Sequence, residues 1–224
     1  MPRLLSVTAT LLLLISGAVS QTAAQVQKAI GSIELPAAHP CVPYKLTNKD
    51  KVYDVLKVLL QSDGKQITIA ATLKDPPPAR PGHVLGLYFD TDNNPKTGGR
   101  PFFSHEESGF ELQSAVEACA RYTNGEACGD GFQDDKVTAH YTIANLQRFT
   151  GPKPYEFDDD IISTHLFGFN ATRDPIIGNM VHATFKYADL KVQSGQTIRI
   201  LVERVCGDLG GHNSFFPEVL LVLK

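Results

Sequence analysis

The sequence predicts an all-β fold, an antiparallel β-sandwich, from two observations. Apolar residues between positions 52 and 224 follow a two-residue period far more often than a helical one. The runs are short and separated by clusters of Gly, Pro, Asn and Asp. The period matters because successive side chains on a strand point to opposite faces, so a half-buried sheet needs apolar residues at alternate positions.

The chain opens Met1-Pro2-Arg3 and runs from Leu4 to Val19 through an unbroken Leu11-Leu12-Leu13-Leu14-Ile15, followed by small residues. This is the charged, apolar and small-residue order of a secretory signal peptide. Interrupted by Ser6, Thr8 and Thr10, the run falls short of the roughly 20 residues a membrane span needs. Residues 1–20 therefore read as a signal, with cleavage after Ser20 or as late as Ala24. No cysteine follows closely enough to carry a lipid. Residues 25–51 then read as an N-terminal arm, and residues 52–224 as one sandwich domain.

Within that domain, Val55 to Leu60 and Gln66 to Leu73 form a hairpin across Ser62-Asp63-Gly64-Lys65, with Ile67, Ile69, Ala71 and Leu73 on one face. Asp75-Pro76-Pro77-Pro78 breaks the sheet, since proline cannot donate to the ladder. Val84 to Phe89 is apolar enough for a central strand. Further strands are expected at Phe110 to Cys119, Val137 to Ile143, Met180 to Tyr187, Thr197 to Arg204 and Glu218 to Leu223. The polar stretch Asn145 to Asp160 reads as loop with one helical turn at most.

Four cysteines remain after processing: Cys41, Cys119, Cys128 and Cys206. In an exported chain an even number reads as disulfides, and two bridges allow three connectivities. Cys119 and Cys128 bracket the turn Arg121 to Glu126; pairing them leaves Cys41 with Cys206. No Cys-x-x-Cys spacing supports a zinc site. The formal charge is -3, and because Arg3 is the only charge in residues 1–20, removing the signal takes it to -4. With no clustered Lys or Arg, nucleic acid and anionic lipid are excluded as expected partners.

The stretch with the most chemistry is Asp90-Thr91-Asp92-Asn93-Asn94-Pro95-Lys96-Thr97-Gly98-Gly99, directly after the apolar strand. Calcium takes six to eight oxygen ligands, and Asp90, Asp92 and Asn94 offer oxygens at alternate positions of a tight loop. The loop is not an EF-hand, whose sixth glycine and twelfth glutamate are here Pro95 and Pro101. A carboxylate from elsewhere must complete a shell; Glu111 is best placed, with Glu106 and Glu107 as alternatives. The competing reading is an ordinary turn capped by its own Asp and Asn side chains.

An apolar strand ending in Asp90-Thr91-Asp92-Asn93-Asn94, then Thr97-Gly98-Gly99, then a Gly109-Phe110-Glu111 strand resembles the β-sandwich superfamily that includes family 9 carbohydrate-binding modules and DOMON-like domains. Ala183 to Leu190 with Ser194 to Arg199 is similar to that superfamily's penultimate strands, and Asn213 to Leu223 to its ending. The resemblance spans about residues 52–224. It implies a jelly-roll or immunoglobulin-like sandwich and a structural calcium at the Asp90 loop, without naming a ligand.

Sugar binding is the first ligand class the resemblance suggests, yet the chain has no tryptophan. Tyr44, Tyr53, Tyr122, Tyr155, Phe102, Phe103, Phe215 and Phe216 are the aromatics available for stacking; their alternative role is closing the ends of the core. Haem binding, the second, needs Met180 with a second ligand such as His105, His140 or His165. His182 lies on the face of Met180 and cannot serve the opposite side of an iron, and a lone strand methionine more often packs a core. A secreted hydrolase is the third reading; the only compact acid–base cluster is His105-Glu106-Glu107, and no Gly-x-Ser-x-Gly or His-Glu-x-x-His is present. Asn170-Ala171-Thr172 is a glycosylation sequon. The expectation is a secreted or periplasmic, non-catalytic binding module.

Overall fold

The computed structural model describes residues 27–37, 53–76, 82–99, 109–128, 135–148, 169–204 and 214–224. In chain order the strands are β1 (Gln27–Ile30), β2 (Ser32–Pro36), β3 (Val55–Ser62), β4 (Gln66–Leu73), β5 (Gly82–Asp90), β6 (Leu112–Tyr122), β7 (Gly125–Ala127), β8 (Val137–Arg148), β9 (Phe169–Pro175) and β10 (Met180–Lys186). One helical turn, α1 (Tyr187–Leu190), precedes β11 (Thr197–Arg204), β12 (Ser214–Phe215) and β13 (Val219–Val222). Among the described residues, nine strands form a large sheet in the order β1-β13-β11-β5-β6-β8-β9, with β12 beside β11 and β7 beside β6. A smaller sheet runs β10-β4-β3-β2. Every pairing between these strands is antiparallel except β1 with β13.

The two sheets enclose one main core, and the alternation in the sequence shows which side chains enter it. Ile67, Ile69, Ala71 and Leu73 of β4 face Leu85, Leu87 and Phe89 of β5 and Ile198, Ile200 and Val202 of β11 within it. The rings of Phe89 and Phe185 meet edge to face at 5.2 Å. A second, smaller cluster of Tyr88, Phe110 and Leu201, joined by Phe215, lies on the other side of the large sheet. It forms because Tyr88 and Leu201 are cross-strand partners at positions that alternate with core residues.

The chain changes sheets four times, between β1 and β2, β4 and β5, β9 and β10, and β10 and β11; the first and third crossings lie at the two lateral edges. Between β1 and β2 it turns at Gly31, whose N–H donates to the Val222 carbonyl at 2.9 Å while its own carbonyl accepts the Ser62 N–H at 2.7 Å. Residues 27–36, an arm in the sequence reading, thus supply a strand to each sheet. Between β9 and β10 the turn at 176–179 is fastened by the Ile176 N–H to the His140 carbonyl and by Asn179 Nδ2–H to the Leu73 carbonyl, at 3.2 and 2.7 Å.

Several boundaries differ from the sequence reading; β5, for example, runs Gly82–Asp90 and β6 Leu112–Tyr122. The strand expected through Tyr187 ends at Lys186, and the chain coils once before Lys191 closes the turn at a φ of 58°. β8 continues to Arg148, into the stretch read as loop, because Ala144 and Leu146 keep alternating with Asn145 and Gln147. β7 and β9 rest on neighbours rather than on apolar patterns of their own. Cys119 is disulfide-bonded to Cys128; Cys41 and Cys206 lie outside the described residues. No helix of the described residues is long and apolar enough to cross a membrane.

Candidate metal centre

β5 delivers Asp90 to the edge of the core with its side chain fully buried. The chain then turns through residues 91–99 and comes back beside the start of β6, held by a bridge between Gly99 and Phe110 and by the Glu111 N–H donating to the Phe89 carbonyl at 3.0 Å. Two glycines permit this approach. A Cβ on Gly98, at φ 64°, would stand 2.3 Å from the Phe110 carbonyl oxygen, and one on Gly109, at φ 100°, would lie 2.6 Å from Pro95 Cα.

The result gathers three carboxylates. One ligand oxygen from each of Asp90, Asp92 and Glu111 lies within 4.8 Å of the others. Backbone amides brace them: the Asn94 N–H donates to Asp90 Oδ1 at 3.1 Å and to Asp92 Oδ1 at 2.9 Å, and the Thr91 N–H to Glu111 Oε2 at 2.7 Å. Asn94, chosen from the sequence as an oxygen donor, enters instead through this amide, and its carboxamide oxygen accepts the Lys96 N–H at 3.1 Å. Glu106 and Glu107, the alternative carboxylates, and His105 lie outside the described residues.

Thr97 shows what the cluster lacks. Its hydroxyl oxygen is 3.1 Å from each oxygen of Asp92, 2.8 Å from Glu111 Oε1 and 2.9 Å from the Asn94 carbonyl oxygen. A hydroxyl has one proton to give; of the four oxygens around it, Asp92 Oδ1 and the Asn94 carbonyl also accept the Asn94 and Thr97 N–H groups, whereas Asp92 Oδ2 and Glu111 Oε1 have no second donor among the described residues. Oxygens packed this closely around too few protons are the setting a hard cation satisfies, and carboxylate, carbonyl and hydroxyl oxygens are its ligand types. The donor set therefore suits a metal ion that prefers oxygen: Asp90, Asp92 and Glu111 would supply the charge, and such an ion would neutralise the loop and tie the end of β5 to the start of β6.

Arg199 of β11 was not anticipated from the sequence. Its Nε–H donates to Asp90 Oδ2 at 2.9 Å, an Nη approaches Glu218 at 3.5 Å, and the guanidinium lies 4.5 Å from the Phe110 ring centroid. Arg199 and Asp90 are cross-strand partners. Burial pushes the Asp90 carboxyl up to about 6, against the opposing pull of Arg199 and the Asn94 amide, and the nearby Glu111 charge pushes the same way as burial.

The other predicted residues fall as follows. Tyr53, Tyr122 and Phe216 are buried and Phe215 packs against the smaller cluster, so these aromatics close the fold and do not present stacking faces. Tyr44, Tyr155, Phe102 and Phe103 lie outside the described residues, as does His165. Met180 is not a core residue: it is 39% exposed, while Val181, Ala183 and Phe185 take the inward positions.

The chain matches no protein-family model, no curated protein and no solved structure.

Proposed function

We propose that this protein is an exported, non-catalytic binding module of the β-sandwich superfamily it resembles, braced by a calcium ion at Asp90, Asp92 and Glu111. The crowding of four acceptor oxygens around the single Thr97 hydroxyl, beside three converging carboxylates, carries the metal half of this reading. Export rests on the signal-like residues 1–20 and agrees with the Cys119–Cys128 disulfide, since such bonds persist in oxidising compartments. Carbohydrate is the first ligand class, in line with the resemblance and with the absence of a basic surface run.

The ion's role is structural. It offsets the repulsion among carboxylates that folding forces together, so it binds the folded state better than the unfolded one and raises stability by mass action. At a free calcium concentration one hundred times the dissociation constant the gain is about 2.7 kcal/mol, several degrees of melting temperature for a domain of this size. Metal analysis of the purified mature protein, with melting curves in calcium and in chelator, tests this. The expected result is one calcium per chain and a chelator-sensitive melt whose sensitivity disappears in Asp92→Asn. Identical melting in calcium and in chelator for the unmodified protein would sink the site.

A further inference from the structure

β9 is the last strand of the large sheet on the side opposite β1, and among the described residues no strand pairs with its outer edge. Such an edge offers a row of backbone N–H and C=O groups to any other strand, and natural proteins blunt it with charge, proline, bulges or a cover. The C-terminal half of β9 is blunted by its own residues: Arg173 and Asp174 bring charge, and Pro175 has no backbone N–H. The N-terminal half, Phe169-Asn170-Ala171-Thr172, has neither charge nor proline.

That same half is where the ladder to β8 becomes irregular. Leu146 pairs with Phe169 and Ala144 with Thr172, so Asn170 and Ala171 together stand opposite the single residue Asn145. Two residues against one is a β-bulge, which interrupts the ladder and bends the strand. Asn170-Ala171-Thr172 is also the only Asn-x-Ser/Thr sequon in the sequence, with alanine and not proline at its middle position. The fold therefore places the acceptor of a bulky, hydrophilic modification in a bulge on an outermost strand. On a central strand the same sequon would set that group where two neighbouring strands must close.

We infer that Asn170 carries an N-linked glycan and that this glycan covers the open edge of the large sheet. The inference goes beyond the binding-module reading and rests on its export half, because the transfer takes place in a secretory membrane system. The Asn170 carboxamide nitrogen attacks the anomeric carbon of an oligosaccharide carried on a polyprenyl diphosphate. The C–N bond forms, the C–O bond to the diphosphate breaks, one amide proton is released and the lipid diphosphate leaves; nothing is oxidised or reduced. Thr172 completes the sequon that the transferase reads. The glycan then does for Phe169 to Thr172 what Arg173, Asp174 and Pro175 do for the rest of β9: a hydrated, branched group beside the backbone keeps another strand from pairing there.

Expression of the full chain, residues 1–20 included, in secreting insect cells tests this. The expected result is a secreted protein whose mass falls on treatment with peptide-N-glycosidase F, with peptide mapping placing the released glycan on Asn170. Asn170→Gln and Thr172→Ala should each abolish the mass shift, and Thr172→Ser should keep it. The covering role has its own readout in velocity sedimentation over a concentration series. The glycosylated parent should stay at one size, and Asn170→Gln should associate as the concentration rises. Adding Ala171→Lys to Asn170→Gln should restore the single size, because lysine on an edge strand opposes pairing. A secreted, signal-cleaved chain with unmodified Asn170 would overturn the inference, and equal sedimentation of the parent and Asn170→Gln would overturn the covering role. The two readings fail separately: a chain retained in the cell with its signal uncleaved removes export and glycan together, whereas a secreted chain without glycan removes the glycan alone.

Discussion

Asp90 carries two demands that pull in opposite directions. Its side chain is fully buried, which favours the neutral acid, while Arg199 at 2.9 Å and the Asn94 amide favour the carboxylate. Burial prevails in the cation-free protein and holds the group near 6, above the ordinary value of 3.8. The sign of the pH dependence follows. A folded-state value above the unfolded one contributes stability that is fully present below about pH 4 and lost as the pH rises through 6. Calcium requires the ionised form, so protons compete with it over the same window. In chelator, Asp90 should make the protein relatively more stable at pH 5 than at pH 7.5; the calcium-induced rise in melting temperature should be larger at pH 7.5. Melting curves at the two pH values with and without chelator check both signs, and Asp90→Asn should flatten both responses. The carboxylates were legible because a tight loop places its own oxygens by local spacing, and Glu111 lies where the next strand returns. Arg199 was not legible, because 109 residues separate it from Asp90 and only the β5–β11 register makes them neighbours.

Among the elements, the β6–β7 hairpin depends most visibly on a covalent bond. β7 has three residues, all at least partly exposed, and pairs only with the end of β6. Beyond the disulfide it is held by Arg121 and Tyr141, which donate to the two oxygens of Glu126 at 2.8 and 2.9 Å. Closing a loop of this length by a disulfide stabilises by about 2–3 kcal/mol in the chain-entropy account. The double variant Cys119→Ser with Cys128→Ser should lose about that much in urea unfolding, and proteolysis should begin between residues 120 and 128. This pairing was readable because both cysteines flank one turn. The extra length of β8 was readable in principle from Ala144 and Leu146, but the polar residues between them mask a strand whose outer face is meant to be polar. The helical turn at Tyr187 was not readable, because Tyr187 continues the alternation of Val181, Ala183 and Phe185 and a single turn is too short to show a helical period.

For the molecule as a whole, closure at both edges governs stability. β1 pairs with β13 on one side, and through Gly31 its chain enters the smaller sheet as β2. A mature chain beginning after Ser20 or Ala24 keeps this strand intact. Removing residues 25–31 should strip a hydrogen-bonded neighbour from Val219 to Val222, uncover the partly buried Ala29 contact with the core and lower the melting temperature by several degrees. Scanning calorimetry of the truncated and full mature chains checks this, and unchanged melting would show that β1 adds nothing to the closure. The parallel pairing of β1 with β13 depends on chain ends that sequence periodicity does not relate.

The sequence by itself determined the all-β class, the core face of β4 and the acidic loop after β5, and it favoured the Cys119–Cys128 pair. Each is written in local spacing, where alternation, turn residues and nearby oxygens act within a few positions. Only the tertiary structure decided that residues 27–36 belong to both sheets and that Arg199 reaches Asp90. Those relations pass across strands, and the register that creates them is set by how two sheets bury a common core.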